Sequence, residues 1–293
     1  MSARPRRSVL YMPGSNARAL EKARSIPADA LILDLEDSVA PVAKADARRQ
    51  VCEALHARAA YGRRELVVRV NGIATPWFAD DMAAVVAAAP DGLLIPKVNG
   101  PGDLEVVADR LESLRAPPGT RVWAMMETPL AVLAAGAIAA ARTAPRHRLD
   151  VLVVGANDLC KETRAELQPG RTALLPWLMI FLAAARAYGL DILDSAYNDF
   201  RDGDGFRAEC GQARSLGFDG KTLIHPDQVA VANEVLAPTA AEIAWAQRVV
   251  AAFDAPEHRD QGVISIDGRM VERLHAEMAR RTIAIAEAIA RLG

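Results

Sequence analysis

Cysteine is scarce in this chain: Cys52, Cys160 and Cys210 are the only three among 293 residues. An odd number at such wide spacing makes neither a disulfide framework nor a zinc motif, so a reduced, cytoplasmic setting is expected. A dominant charge is also missing, since 35 Lys and Arg face 37 Asp and Glu for a formal net charge of −2. With aromatics at only 5%, the chain lacks the basic field and the stacking residues of a nucleic-acid binder. The longest apolar run, Thr172 to Ala185, is interrupted by Pro176 and falls short of the roughly 20 residues that a bilayer-spanning helix needs. No membrane partner is therefore expected. The basic start, Met1 to Arg7, has no apolar stretch behind it and does not read as a secretory signal. There is no low-complexity segment and no long linker.

What is present is a large apolar fraction, 51%, arranged as an alternation. Short apolar runs occur at Ser8–Pro13, Ala30–Asp37, Glu65–Asn71, Gly92–Val98, Arg121–Glu127, Val151–Asp158, Asp191–Tyr197 and Lys221–His225. Most are near-continuous rather than alternating, as in strands buried on both faces. Amphipathic stretches lie between them, at Ala17–Ser25, Lys44–Ala59, Trp77–Ala89, Asp103–Leu114, Leu130–Ala141, Trp177–Tyr188 and Gly203–Leu216, with Gln228–Leu236 after the last run. Repeated strand–helix units predict a closed (β/α)8 TIM barrel. An open doubly wound sheet is the competing fold. Its dinucleotide form needs G-x-G-x-x-G in the first turn, where this chain has Pro13-Gly14-Ser15-Asn16.

The pattern changes after Pro238. Ala240–Phe253 and Met270–Leu292 read as helices, separated by a strand and turn over Gly262–Gly268. The expected organisation is a barrel over residues 1–238 and a C-terminal helical lid over 239–293, packed on its own barrel or on a neighbouring subunit's.

Catalytic groups of such barrels sit at the C-terminal ends of the strands. Here those ends carry Glu36 and Asp37, Arg69 and Asn71, Lys97, Glu127, Asp158, Asp194 and Tyr197, and His225. Any one of them can be a simple exit to solvent, but so many on one rim point to a site. Glu127 and Asp158, on neighbouring strands, suit Mg²⁺, which takes one or two protein carboxylates and keeps several waters. Solvated or Arg-paired acids are the alternative. Arg69 can grip a carboxylate in a two-point clamp or form an internal ion pair with Glu36 or Asp37, and the two roles are compatible. Gly14, Ser15 and Asn16 precede a helix, where free N–H groups attract phosphate, although Ser15 or Asn16 also suits a plain N-cap. Lys22, Lys44, Arg48 and Arg49 read mainly as solvated helix charges.

Several look-alikes fail. Gly220-Lys221-Thr222 lacks the first P-loop glycine, since Ser215 stands there, and is followed by no helix. Asp199, Asp202 and Asp204 miss the EF-hand spacing, so Asp202 or Asp204 reads as a helix cap. His225 reads as structural and Cys160 as packing.

In order along the chain stand Tyr11-Met12-Pro13-Gly14, Leu33-Asp34-Leu35-Glu36-Asp37-Ser38-Val39, Arg69-Val70-Asn71, Pro96-Lys97-Val98, Met126-Glu127-Thr128-Pro129 and Gly155-Ala156-Asn157-Asp158-Leu159. Gly220-Lys221-Thr222-Leu223-Ile224-His225-Pro226-Asp227-Gln228 and Ile266-Asp267-Gly268-Arg269-Met270 complete the set. The ordered set resembles the citrate lyase beta-subunit family of HpcH/HpaI-type aldolases. The resemblance implies a Mg²⁺-dependent carbon–carbon lyase acting on a β-hydroxyacyl thioester, with CoA or an acyl carrier as the thiol. It implies Glu127 and Asp158 as metal ligands and Arg69 as the grip on the acid. Asp267 would act as acid/base in a neighbour's site, in a homotrimer or hexamer. From the residues themselves, and not from the resemblance, Glu36, Asp37 and Lys97 on the rim are expected to bind substrate, and Gly14, Ser15 and Asn16 at the helix start to bind the phosphate-bearing cofactor. Ser38 and Asn157 depart from the family's usual residues, and the basic stretch from Arg142 to Arg148 lengthens one connection. Thioester hydrolysis, a CoA-independent keto-acid aldolase, and a binding subunit that needs an acyl-carrier partner are the competing readings.

Overall fold

The computed structural model of the chain describes residues 4–258 and 260–292, so the first three residues of the basic start lie outside it. The described chain divides into two compact units, one of residues 6–236 and one of residues 4–5 and 237–292 apart from 259.

The larger unit is a closed barrel of eight strands in sequence order, all parallel. In chain order the elements are β1 (Ser8–Pro13), α1 (Ala17–Ala23), β2 (Ala30–Asp34), α2 (Lys44–His56), β3 (Glu65–Arg69), α3 (Phe78–Ala87), β4 (Gly92–Ile95) and α4 (Pro101–Ser113). There follow β5 (Arg121–Met126), α5 (Pro129–Ala140), β6 (Leu149–Val154), α6 (Ala156–Thr163), α7 (Leu175–Ala187), β7 (Asp191–Asp194), α8 (Gly203–Leu216), β8 (Gly220–Leu223) and α9 (Gln228–Val235). Side chains alternate across each strand. Val9, Ile32, Val67, Leu94, Trp123 and Val151 fill the barrel interior, while Leu10, Leu31, Leu33, Leu66 and Leu93 pack beneath the helices. Both faces are therefore apolar, which is why the strands read as continuous hydrophobic runs.

The strands are shorter than the apolar runs. Leu35, Val70 and Val98 are buried yet lie beyond their strands, because burial continues where the hydrogen-bond ladder has ended. Glu36, Asp37, Asn71, Lys97, Glu127, Tyr197 and His225 consequently sit in loops past the strand ends. Asp158 is not on a strand at all: it occupies the first turn of α6, a helix that the sequence pattern had merged into β6.

The foot of the barrel is closed by charge. Arg6, preceding β1, bonds both oxygens of Glu65 at 2.8 and 2.9 Å, Asp150 at 2.9 Å and Asp191 at 2.6 Å. Its guanidinium also lies over the Trp123 ring at 5.1 Å.

The smaller unit holds α10 (Ala240–Asp254), β9 (Val263–Ile266), β10 (Arg269–Glu272) and α11 (Arg273–Ala290). Val249, Phe253, Ile264, Val271, Ala276 and Ala279 form its core. Met270 is in a strand and not at the start of a helix, which corrects the sequence reading. The Asp267-Gly268 turn has φ of 51° and 76°, the two left-handed positions that close a two-residue hairpin, and β10 pairs back on β9. Among the described residues no helix is long and apolar enough to cross a membrane.

Candidate active site

A cavity of about 420 Å³ opens at the C-terminal ends of the strands, lined among others by Tyr11, Asp34, Arg69, Glu127, Asp158 and Thr222. Strand parity explains three of these. Asp34 and Arg69 follow the inward-facing Ile32 and Val67 by two residues, and Glu127 follows Met125 by two. Each continues the interior rows upward, where packed hydrophobes give way to polar groups.

Asp34 and Arg69 are register partners on β2 and β3. Arg69 Nε and Nη2 donate to the two Asp34 oxygens at 2.6 and 2.7 Å. Its Nη1 lies 2.9 Å from Glu36 and 3.2 Å from Asp37, and the Tyr11 ring lies 4.8 Å from the guanidinium carbon. Burial works against an ionised Asp34, but Arg69 outweighs it, aided by hydrogen bonding from Ser38 and from the backbone N–H of Glu36, and holds its pKa below the usual range. For Glu36, burial prevails over Arg69 and, with Asp37 adjacent, pushes the carboxyl up to about 7. Burial likewise raises the Tyr11 phenol. The sequence had named Glu36 or Asp37 as partner for Arg69. The principal partner is Asp34, and the signal for it was the cross-strand pairing of two inward positions.

Glu127 is 1% exposed. Its Oε1 accepts the Lys97 N–H at 2.8 Å, and its Oε2 is buried without a hydrogen-bond partner. A methyl group on Gly155 would lie 2.5 Å from that oxygen, so only glycine admits the carboxylate there. Burial first, then the charge of Asp158, pushes the Glu127 carboxyl up to about 8. A buried, unpartnered carboxylate oxygen is costly, and a divalent cation would satisfy it. Asp158 lines the same cavity from the helix start, where the backbone dipole favours an anion. The Lys97 ammonium stands 3.8 Å from Asp158 and 3.5 Å from Glu36. Among the described residues no three His, Cys, Asp or Glu side chains gather as a metal cluster, so a cation here would rely on two carboxylates and on water, the set that Mg²⁺ favours. The donor set fits that ion.

The other candidates fall as follows. Gly14 packs its Cα against β2, where a side chain would come within 2.6 Å of the Asp34 carbonyl. The N–H groups of Gly14 and Asn16 are taken by Asp34 O at 2.9 Å and Pro13 O at 3.1 Å, and Asn16 caps α1. Ser15 is exposed. Lys44 is not a solvated helix charge: it is buried, with Nζ donating to the carbonyls of Leu35 at 2.7 Å and Glu36 at 2.8 Å over the Trp77 ring. It fixes the loop that carries Glu36 and Asp37. Arg48 is likewise engaged, by Asp81 at 2.8 Å. Asn157 exchanges amide hydrogen bonds with Asn198. Asp202 caps α8, His225 stacks on Phe200 with ring centroids 4.5 Å apart, and Cys160 is buried. Arg146 bonds Glu105, Asp109 and Glu112 on the surface of α4. Asp267 belongs to the smaller unit, in the hairpin turn, paired with Arg248.

Residues 7–226 match the sequence model of the HpcH/HpaI aldolase/citrate lyase family. The chain is 50% identical over 291 residues to a (3S)-malyl-CoA thioesterase of Cereibacter sphaeroides, covering 99% of this chain and 98% of that one. It is 38% identical over 289 residues to citrate lyase subunit beta of Escherichia coli, covering 97% and 94% respectively. Among solved structures it resembles CitE of Mycobacterium tuberculosis in complex with magnesium, acetoacetate and coenzyme A, with a TM-score of 0.74, 27% identity, and coverage of 97% of this chain and 98% of that one.

Proposed function

Given that the chain belongs to the HpcH/HpaI aldolase/citrate lyase family, we propose that it is a magnesium-dependent enzyme that hydrolyses a malyl-type β-hydroxyacyl-CoA thioester. The observation that carries the metal and the substrate class is the buried Glu127 oxygen left without a partner beside Asp158 and Arg69. The half-identical thioesterase supports hydrolysis as the outcome, and the magnesium-bound CitE supports the ion.

Glu127 and Asp158 would hold the ion, which supplies Lewis-acid polarisation and neutralises charge on bound oxygens. Arg69 receives the carboxylate next to the hydroxyl carbon. Asp34, gripping two of its nitrogens, keeps the guanidinium plane from rotating. Glu36, Asp37 and Lys97 border that carboxylate. Of Gly14, Ser15 and Asn16, only Ser15 remains our candidate for the CoA side, because the N–H groups of the other two are already taken. In hydrolysis water adds to the thioester carbonyl carbon, the C–S bond breaks, and the departing thiolate takes a proton, giving the hydroxy acid and CoA.

Carbon–carbon cleavage is the second reading. It is favoured by the clustering of Arg69, Glu127 and Asp158 around the hydroxy-acid end of such a substrate and by the citrate lyase subunit among the relatives. The hydroxyl proton leaves, a keto acid departs, and the thioester carbanion takes up a proton. Asp267 is our candidate for that donor, delivered from a neighbouring subunit's C-terminal unit in a trimer or hexamer, with that unit as a lid. Mass spectrometry of (3S)-malyl-CoA incubated with the protein, with Mg²⁺ or with EDTA, separates the readings. Malate plus CoA marks hydrolysis, and glyoxylate plus acetyl-CoA marks the lyase. Neither product in the presence of Mg²⁺ would refute both.

A further inference from the structure

Lys97 combines features that go beyond its place beside the substrate carboxylate. Its backbone is left-handed, with φ of 54°, a strained conformation for a residue that bears a Cβ. That turn brings its N–H to Glu127 Oε1 at 2.8 Å and thereby decides which carboxylate oxygen is occupied and which is left for a ligand. The side chain is 42% exposed, and Nζ sits 3.5 Å from Glu36 and 3.8 Å from Asp158. These are ion-pair separations, too long for strong hydrogen bonds. The ammonium is thus held by the field of the acids and not by a fixed fork, on a flexible stem with room to move. Around it stand Glu36, Asp37, Glu127 and Asp158, while Arg69 is committed to Asp34.

We propose that Lys97 is the resident counter-cation of this site: its ammonium occupies the field of Asp158 while no metal is bound and yields it to the divalent ion by withdrawing onto Glu36. The inference rests on the magnesium reading above. A monovalent and a divalent cation cannot both sit within about 4 Å of one carboxylate without strong mutual repulsion. Lys97 therefore lowers metal affinity, keeps the ion exchangeable, and delivers its charge toward Arg69, where the substrate carboxylate arrives. The left-handed backbone is what allows one residue to orient Glu127 and to neutralise Asp158.

Isothermal titration of the full chain with MgCl2, without substrate and at low ionic strength, tests this on wild type, Lys97→Met, Lys97→Gly and Lys97→Arg. The Met and Gly variants should bind Mg²⁺ roughly 5–10-fold more tightly, the gain expected when one partly screened charge at this range is removed. The Arg variant should stay close to wild type. Lys97→Gly relaxes the backbone and keeps the N–H, so it remains informative if Lys97→Met folds poorly. Equal or weaker binding by both neutral variants, with wild type binding normally, would overturn the counter-cation role and leave the metal reading intact. No uptake of Mg²⁺ by any of the four proteins would overturn both.

Discussion

Replacing Glu127 by Gln should make the metal-free protein more stable while removing its response to magnesium. The carboxyl is buried, and its pKa stands at about 8 against an ordinary 4.5. An acid whose pKa is raised in the folded state favours folding below its unfolded pKa, and that contribution is lost as pH rises through the folded value. Each pH unit above 4.5 therefore costs about 1.4 kcal/mol, which reaches roughly 5 kcal/mol near pH 8. Glutamine escapes this cost and keeps an oxygen for the Lys97 N–H. It places an amide where Oε2 had no partner, and an unsatisfied buried donor costs about 1–3 kcal/mol. The net gain at pH 8 is then about 2 kcal/mol or more. At roughly 2–4 °C per kcal/mol for a domain of this size, the melting temperature should rise by roughly 4–8 °C. At pH 5 the charge cost has nearly vanished and the variant should be level with wild type or slightly below it. Magnesium at about 100 times its Kd should stabilise wild type by about 2.7 kcal/mol, more effectively toward pH 8 because the proton no longer competes. It should leave the variant almost unmoved. Differential scanning calorimetry from pH 5 to 8, with EDTA or Mg²⁺, reads all four corners. A variant that melts below wild type at pH 8 without metal, or that keeps the full magnesium shift, would refute the reasoning.

Three further substitutions probe the same site. Arg69→Lys loses the two-point bond to Asp34 and strands a buried carboxylate, so denaturant melts should show a loss of about 3 kcal/mol and kcat/KM should fall roughly 100-fold or more. Gly155→Ala drives a methyl group into Glu127. Magnesium titration should show binding lost while circular dichroism shows a folded barrel weakened by about 1–3 kcal/mol. Asp267→Asn should leave KM for the thioester unchanged and lower kcat for carbon–carbon cleavage by roughly 10²–10⁴; normal turnover would dismiss its acid role.

The barrel was legible because eight apolar runs alternate with amphipathic ones, and that spacing is set by burial on both strand faces. Strand ends were less so. Leu35, Val70 and Val98 stay buried after the ladder stops, so apolarity alone cannot mark the last hydrogen bond. The helix bearing Asp158 was hidden for the same reason, since its opening Gly155-Ala156 continues the small, apolar texture of β6. Glu127, Asp158 and Arg69 could be picked out as charges on one rim. What they do to one another could not, because it depends on three-dimensional closeness: Asp34 across from Arg69, Lys97 N–H on Glu127, and Gly155 making room. Lys44 was misjudged because a lysine near a helix start is ordinarily solvated, and only the fold shows two carbonyls and Trp77 around it. The second hairpin strand had its signal in Asp267-Gly268, a dipeptide suited to a tight reversal, but its Met and Val suited a helix equally well.

The seam of the barrel has a consequence for how the protein is made. Ser8 pairs with Lys221 and Val9 with Thr222, so the opening strand meets its partner only near the end of the larger unit's synthesis. At about 5–20 residues per second, the nascent chain carries an unzipped edge for roughly 10–40 s. During that interval Arg6 has Glu65 and later Asp150 to bond, while Asp191 completes its set of acids only shortly before the barrel closes. The charged lock at the foot of the barrel is thus completed late, and a neutral residue in place of Arg6 should show its defect first as aggregation of the unclosed barrel during expression.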